Sequence, residues 1–186
     1  MTWIPDFHLG WLNGWIPLFL LALVDGTLFL LFPKSVVERL FDRSGWSQRQ
    51  VLFTVLGKLI ALLCLLSLIF SPLKLHSSVF PVGMLLVLLG LVGVVVALFN
   101  FKNTPMDQPV SSGLYRISRH PQIVMASLVL LGACVAVGSW SALLLLLLSR
   151  FLAHFSILAE EEVCIKRYGD SYRDYLARVP RYFIFF

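Results

Sequence analysis

The chain has 186 residues, of which 59% are hydrophobic and only 13% charged, and its mean hydropathy is +0.87. A soluble domain carries about 25% charged residues, so the composition excludes a soluble globule and indicates a single-domain integral membrane protein. The net charge of +5 and a pI near 9.4 follow from where the basic residues fall along the membrane, and they do not call for nucleic-acid binding.

The N-terminal stretch MTWIPDFHLG has no basic n-region and no small-residue cleavage site, so it does not read as a signal peptide. Crossing the hydrocarbon core takes about 20 mostly apolar residues. The first such segment is GWIPLFLLALVDGTLFLLF, residues 14 to 32. In the loop after it, Val36, Val37, Leu40 and Phe41 recur at helical spacing and suit a short helix lying on the membrane surface. The second segment is VLFTVLGKLIALLCLLSLIF, 51 to 70, and the third is VFPVGMLLVLLGLVGVVVALFNF, 79 to 101.

The apolar block from Pro121 to Leu158 is too long for one span, and VGSW at 137 to 140 breaks it. The break predicts spans over 121 to 137 and 141 to 158, joined as a tight antiparallel hairpin. A helical tail follows from 159 to about 178, interrupted at Gly169 and limited by Pro180. The expected fold is therefore all-α, a polytopic membrane protein of about five transmembrane helices with a helical C-terminal tail. Cys64, Cys134 and Cys164 have no ligand-like spacing and read as buried thiols, with no disulfide framework and no metal site.

Five spans put the termini on opposite sides. Under that topology Lys34, Arg39, Arg43 and Arg49 share one side with Lys102, Arg116 and Arg119 and with Lys166, Arg167, Arg173, Arg178 and Arg181, while Lys74 faces the other. Basic residues concentrate in cytoplasmic loops, which places the N-terminus outside and the tail in the cytoplasm.

Two cytoplasmic stretches combine polar and aromatic residues: SSGLYRISRHP opens the fourth span, and AEEEVCIKRYGDSYRDYLARVPRYF follows the fifth. Because those spans form a hairpin, the two stretches should meet at one membrane surface. Pro121 suits the first turn of a helix, whose free N–H groups favour an anion. With Arg119 and His120 beside them, this corner either holds a carboxylate or phosphate or simply anchors the chain as a basic membrane boundary.

Among Glu160, Glu161 and Glu162, Glu161 shares roughly one helix face with Arg150 and His154. A charge at the depth of Arg150 faces either a partner, such as Asp25 or a backbone carbonyl, or a polar cavity. Asp25 and Lys58 suit an ion pair between the first two spans. Tyr168, Tyr172 and Tyr175 have helical spacing and read as a packing stripe at the bilayer interface.

Gly113, Tyr115, Arg119, His120 and Pro121 fit a G-x-Y-x-x-x-R-H-P run before a helix. A hairpin follows, then Glu160 and Glu161, and eight residues on a G-x-x-Y-x-x-Y segment of Gly169, Tyr172 and Tyr175 before Val179 and Pro180. This ordered set over about residues 100 to 182 resembles the isoprenylcysteine carboxyl methyltransferase and phospholipid methyltransferase group of integral membrane enzymes. The sequence departs from the group's usual pattern at Ile123, where many members have tyrosine, at Cys164, and in the ending RYFIFF.

The resemblance implies S-adenosylmethionine as cofactor, with residues 102 to 186 as the part that binds it and 1 to 101 as three accompanying spans of the same domain. Tyr115, Arg119, His120, Pro121, Glu160, Glu161 and Tyr172 would line its site. It implies methyl transfer, without a metal, to a lipophilic acceptor met among the membrane lipids: a prenylcysteine-type carboxylate, a phospholipid amine or a thiol. Arg150, His154 and Glu161 are the candidate catalytic residues. Two other classes remain open: a membrane reductase of the sterol-reductase type using NADPH, and a non-enzymatic polytopic scaffold or transporter subunit.

Overall fold

The computed structural model of the protein describes residues 1–3, 5–43 and 45–183. The last three positions of RYFIFF, and single positions in MTWIPDFHLG and in the first loop, lie outside the described residues. Among the described residues there are seven α-helices, one 3-10 turn and no β-strand. They are α1 (Trp15–Leu31), α2 (Lys34–Leu40), α3 (Gln48–Ile69), α4 (Val79–Lys102), the turn Gly113–Arg116, α5 (Pro121–Val137), α6 (Trp140–Tyr168) and α7 (Asp170–Arg178). Helices α3, α4 and α6 are long and apolar enough to cross a membrane. Helices α1 and α5 are apolar but shorter, with 17 residues each.

The helix ends follow local chemistry. Ser47 and Gln50 form a capping box at the start of α3. Pro121 opens α5, where its missing N–H leaves nothing unsatisfied. Gly138 closes α5 in the left-handed region at φ 70°, and Ser139 then caps α6 by accepting from the Ala142 N–H. The VGSW break thus becomes a two-residue turn. Helix α6 runs past its apolar part, which ends at Leu158. At about 1.5 Å per residue its 29 residues reach well beyond a core of about 30 Å, so Ala159–Tyr168 stand outside the hydrocarbon.

Two helix pairs make the body of the molecule, α4 with α5 and α3 with α6. The first pair is held close by glycines: a Cβ on Gly132 would lie 2.5 Å from the Gly83 carbonyl oxygen, and one on Gly83 2.6 Å from that of Gly132. Small residues at such a seam let backbones approach where lipid offers no hydrophobic drive for association. In the second pair Phe53 stacks on Phe155 at 4.4 Å between ring centroids, and the Thr54 and Ser156 hydroxyls meet at 2.7 Å.

The end carrying the Gly138 turn is stitched by backbone hydrogen bonds from distant segments. The Thr2 N–H donates to Gly138 O at 2.8 Å and the Trp140 N–H to Thr2 O at 2.9 Å. The Gly14 N–H donates to Ser71 O at 2.9 Å, and the Lys74 N–H to Ala136 O at 3.0 Å. There Leu18 of α1 packs on Cys64, Leu68 and Val137. Toward the other end α1 instead leans on α4, with Leu21, Val24 and Phe29 against Val94 and Leu98. Helices α1 and α6 hardly touch, and a cavity lies between them.

Two expectations change here. Val36 of α2 is buried against Val94 and Leu98, with Val37 and Leu40 beside it, so this face packs on protein instead of lying on the membrane surface. The expected Asp25–Lys58 ion pair does not form. Lys58 is exposed on α3, whereas Asp25 lines the cavity on α1.

Candidate active site

The segment before α5 is fixed on both sides. Gly113 adopts φ 58°, a conformation open mainly to glycine. The turn it starts is anchored where the Leu114 N–H donates to the Asn100 side-chain oxygen of α4 at 3.0 Å. From the other side the tail folds back across it. The Tyr175 hydroxyl donates to Tyr115 O at 2.8 Å, the Arg119 N–H to Pro180 O at 3.0 Å, and the Ser118 hydroxyl to Arg181 O at 3.0 Å. The aromatic stripe therefore packs on protein and not on the bilayer interface. Tyr172 and Tyr175 are buried together with Val179.

Glu161 of α6 sits at the centre of this junction. Its carboxylate lies 3.1 Å from Arg119 Nη1 and 3.3 Å from His120 Nε2. Arg181 grips it with two prongs, Nε to Oε1 at 3.0 Å and Nη2 to Oε2 at 2.7 Å. The Arg119 and Glu161 side chains are only 5% and 6% exposed, so the cluster is shielded from water and its charges interact strongly. The two halves of the hairpin, 41 residues apart at His120 and Glu161, meet as the topology requires.

The adjacent glutamates are driven in opposite directions. Burial works against the charge on Glu161, but the hydrogen bonds from His120 and Arg181 and the nearby Arg119 charge more than offset it and hold the carboxyl at about 2. Burial raises Glu160 above the usual carboxylate range, opposed by the charges of His120 and Arg43. Glu160 approaches His120 Nδ1 at 3.7 Å, so the imidazole is bracketed by two acids. Burial also pushes the phenols of Tyr115, Tyr172 and Tyr175 up, keeping them neutral.

Beside this cluster is a cavity of about 390 Å³. Tyr115, Arg119, His120, Glu160, Cys164 and Tyr172 form its polar wall, and Asp25, Phe29, Val94, Leu98 and Arg150 reach its far side. Three buried donors at its lining, Arg119 Nε, Gln122 Nε2 and Arg150 Nε, have no hydrogen-bond partner. Unpaired buried donors are costly, and their collection around one cavity supplies anchoring points for a polar ligand. Arg39 closes part of the mouth. Its Nη1 donates to Pro105 O at 3.0 Å and its Nη2 to Gln108 O at 2.6 Å, and its guanidinium lies over the Phe101 ring at 5.1 Å. Arg167 pairs with Asp42 alongside.

Of the residues singled out in the sequence, Tyr115, Arg119, His120, Glu160, Tyr172 and Arg150 line the cavity. Glu161 stands behind Arg119 and His120. His154 stands apart from the cavity, its Nδ1 2.8 Å from the Tyr182 hydroxyl. Pro121 is buried at the start of α5. Sequence reasoning passed over Arg181, Tyr182 and Arg39. The available signal for the first two was Pro180, which ends the helical tail and turns the next residues back toward the hairpin.

The phospholipid methyltransferase family model matches residues 79–171, while no curated protein and no solved structure matches the chain. The match takes in α4, the hairpin and both glutamates, and it ends after the Gly169 turn, leaving α1 to α3 and the end of the tail outside. Spanning half of the chain, with Arg119, His120 and Glu161 of the ionic junction inside it and Arg181 outside, it shows that the protein belongs to the phospholipid methyltransferase family of membrane methyltransferases.

Proposed function

We propose that the protein transfers a methyl group from S-adenosylmethionine to a lipophilic acceptor at the cytoplasmic face of the membrane, the favoured acceptor being the amine of a phospholipid headgroup. The observation that carries this reading is the buried Arg119–Glu161 contact at 3.1 Å beside the cavity. It joins the two halves of the family pattern at a space suited to a small polar ligand.

The residues present fit the cofactor. The unpaired Arg119 Nε and Gln122 Nε2, with the N-terminus of α5, suit its carboxylate. Glu160 suits its ammonium or ribose hydroxyls, and the Tyr172 ring suits its adenine. Bound there, the cofactor supplies an electrophilic methyl on a positively charged sulfonium. The chain's own part is alignment and exclusion of water. Among the three candidate catalytic residues, Arg150 lines the cavity and would touch the acceptor. Glu161 would act as a positioning residue through Arg119 and His120, whereas His154, bonded to Tyr182, does not reach the cavity.

The proposed topology has five spans, with the N-terminus outside and the tail cytoplasmic. The distribution of basic residues supports it, with Lys74 at the turn end close to Gly138 and the arginines of the ionic junction at the other. Helices α1 and α5, at about 1.5 Å per residue, are slightly short for a core of about 30 Å and would cross where the bilayer thins. The gap between α1 and α6 supports sideways entry of the acceptor.

Calorimetric titration of detergent-purified protein with S-adenosylmethionine, with NADPH as the competing ligand, tests the reading. Binding of the former alone, followed by methyl transfer to phosphatidylethanolamine, prenylcysteine or a small thiol, is the expected result. Binding of NADPH alone would overturn it.

A further inference from the structure

Helix α1 lies outside the segment matched by the family model, yet it contributes Asp25 to the cavity. A carboxyl at this depth in an apolar helix is costly and marks a functional position by default. Asp25 is only partly buried, and among the described residues its side chain makes no hydrogen bond or ion pair. Lys58, the cation expected to pair with it, is exposed on another helix.

The same cavity is lined by Arg150, whose Nε has no partner and whose Nη1 reaches only Ser127 Oγ, at 3.5 Å. Asp25 precedes the end of α1 at Leu31 by six residues, and Arg150 precedes the end of the apolar part of α6 by eight. At about 1.5 Å per residue both lie on the order of 10 Å below the same surface. The lining they share includes the apolar Phe29, Val94, Leu98, Ile123 and Ala126 as well as the polar wall of Arg119, His120 and Glu160. Two opposite charges at one depth, lining one cavity but not paired with each other, suit an amphiphile carrying both a cation and an anion.

We infer that Asp25 is the acceptor-recognition residue. Its carboxylate holds the cationic nitrogen of an amine headgroup while Arg150 takes an anionic oxygen of the same headgroup. This assignment rests on the methyltransferase reading for its chemical purpose. An ammonium has no lone pair with which to attack. Asp25 removes that obstacle: the N–H bond breaks, an O–H bond forms on a carboxylate oxygen, and the electron pair stays on nitrogen. The proton leaves Asp25 through the cavity mouth when the site empties.

The test compares wild type with Asp25→Asn, Asp25→Glu and Asp25→Leu, the last being a change the bilayer tolerates well. Lipid binding is measured with short-chain phosphatidylethanolamine and phosphatidylglycerol in detergent, and S-adenosylmethionine affinity is measured in parallel. Phosphatidylethanolamine should bind at least about tenfold more weakly to Asp25→Asn and Asp25→Leu, with partial recovery in Asp25→Glu. Phosphatidylglycerol and cofactor affinities should stay within about twofold of wild type. Unchanged phosphatidylethanolamine affinity, or an equal loss for both lipids, would overturn the assignment. If the wild-type protein fails to bind S-adenosylmethionine, the methyltransferase reading falls, while the lipid comparison still decides the role of Asp25.

Discussion

Arg181 closes on Glu161 from the far side of the hairpin, Nη2 to Oε2 at 2.7 Å and Nε to Oε1 at 3.0 Å. The tail therefore completes an ionic cluster begun by the loop before α5. One carboxylate is shared by two guanidiniums and an imidazole, so its loss should be felt by all three.

Replacement Glu161→Gln leaves Arg119 and Arg181 facing each other without a counter-charge. Breaking a buried pair by removing one partner costs about 3–5 kcal/mol. Thermal unfolding in detergent should show a clearly lower midpoint, and cofactor affinity should fall by more than about tenfold. A double replacement with Arg181→Met should recover part of the stability, because it removes one of the stranded cations.

Acid should reproduce that loss. The Glu161 carboxyl is held at about 2 in the folded protein against an ordinary value of 4.5. A depressed folded value means that the stabilisation is complete above the ordinary value and fades as pH falls from there through the folded value. Wild-type stability relative to Glu161→Gln should therefore hold above pH 4.5 and shrink steadily as pH falls from 4.5 toward 2. Paired urea titrations at a series of pH values measure the difference.

Gly113→Ala tests the anchoring of the loop to α4. The residue sits at φ 58°, and an added Cβ would lie 2.1 Å from the Asn100 side-chain oxygen that receives the Leu114 N–H. Strain of this kind costs about 1–3 kcal/mol. The expected outcome is a lower unfolding midpoint together with weaker cofactor binding, since Tyr115 and Arg119 follow directly in the chain.

Arg39→Ala should loosen the mouth without disturbing the ionic cluster. Arg39 ties α2 to the carbonyls of Pro105 and Gln108, and nothing in the Glu161 cluster depends on it. Faster hydrogen exchange and proteolysis within 103–112, with little change in global stability, is the expected pattern.

Cysteine labelling checks the orientation. With Cys64, Cys134 and Cys164 replaced by serine or alanine, a single cysteine at Lys74 should react with an impermeant reagent in intact cells. One at Arg178 should react only after the membrane is opened.

How much of this was legible in the sequence depends on the scale of the interaction. The helices were legible because hydropathy and the breakers Gly138, Gly169 and Pro180 act locally, and α5 and α6 begin and end where those residues require. The meeting of the two polar stretches was legible because a two-residue turn leaves a hairpin no other geometry, whereas the contact of Arg119 with Glu161 itself was not. The position of α1 was not. Nothing in its sequence says whether Asp25 turns toward α3 or toward the hairpin, since that depends on packing of Leu21, Val24 and Phe29 against α4. Arg181 escaped notice for a related reason, because a single basic residue after a proline reads as one more cytoplasmic charge until the tail is seen to fold back.

The backbone stitching of Thr2, Gly14 and Lys74 at the end of the bundle away from the ionic cluster bears on how the proposed acceptor would get in. With that rim sewn shut, the helices can spread only like the blades of tweezers, pivoting about the fastened end. Admission and release would then be a small splaying of α1 away from α6, governed by how firmly the N-terminal segment is tied.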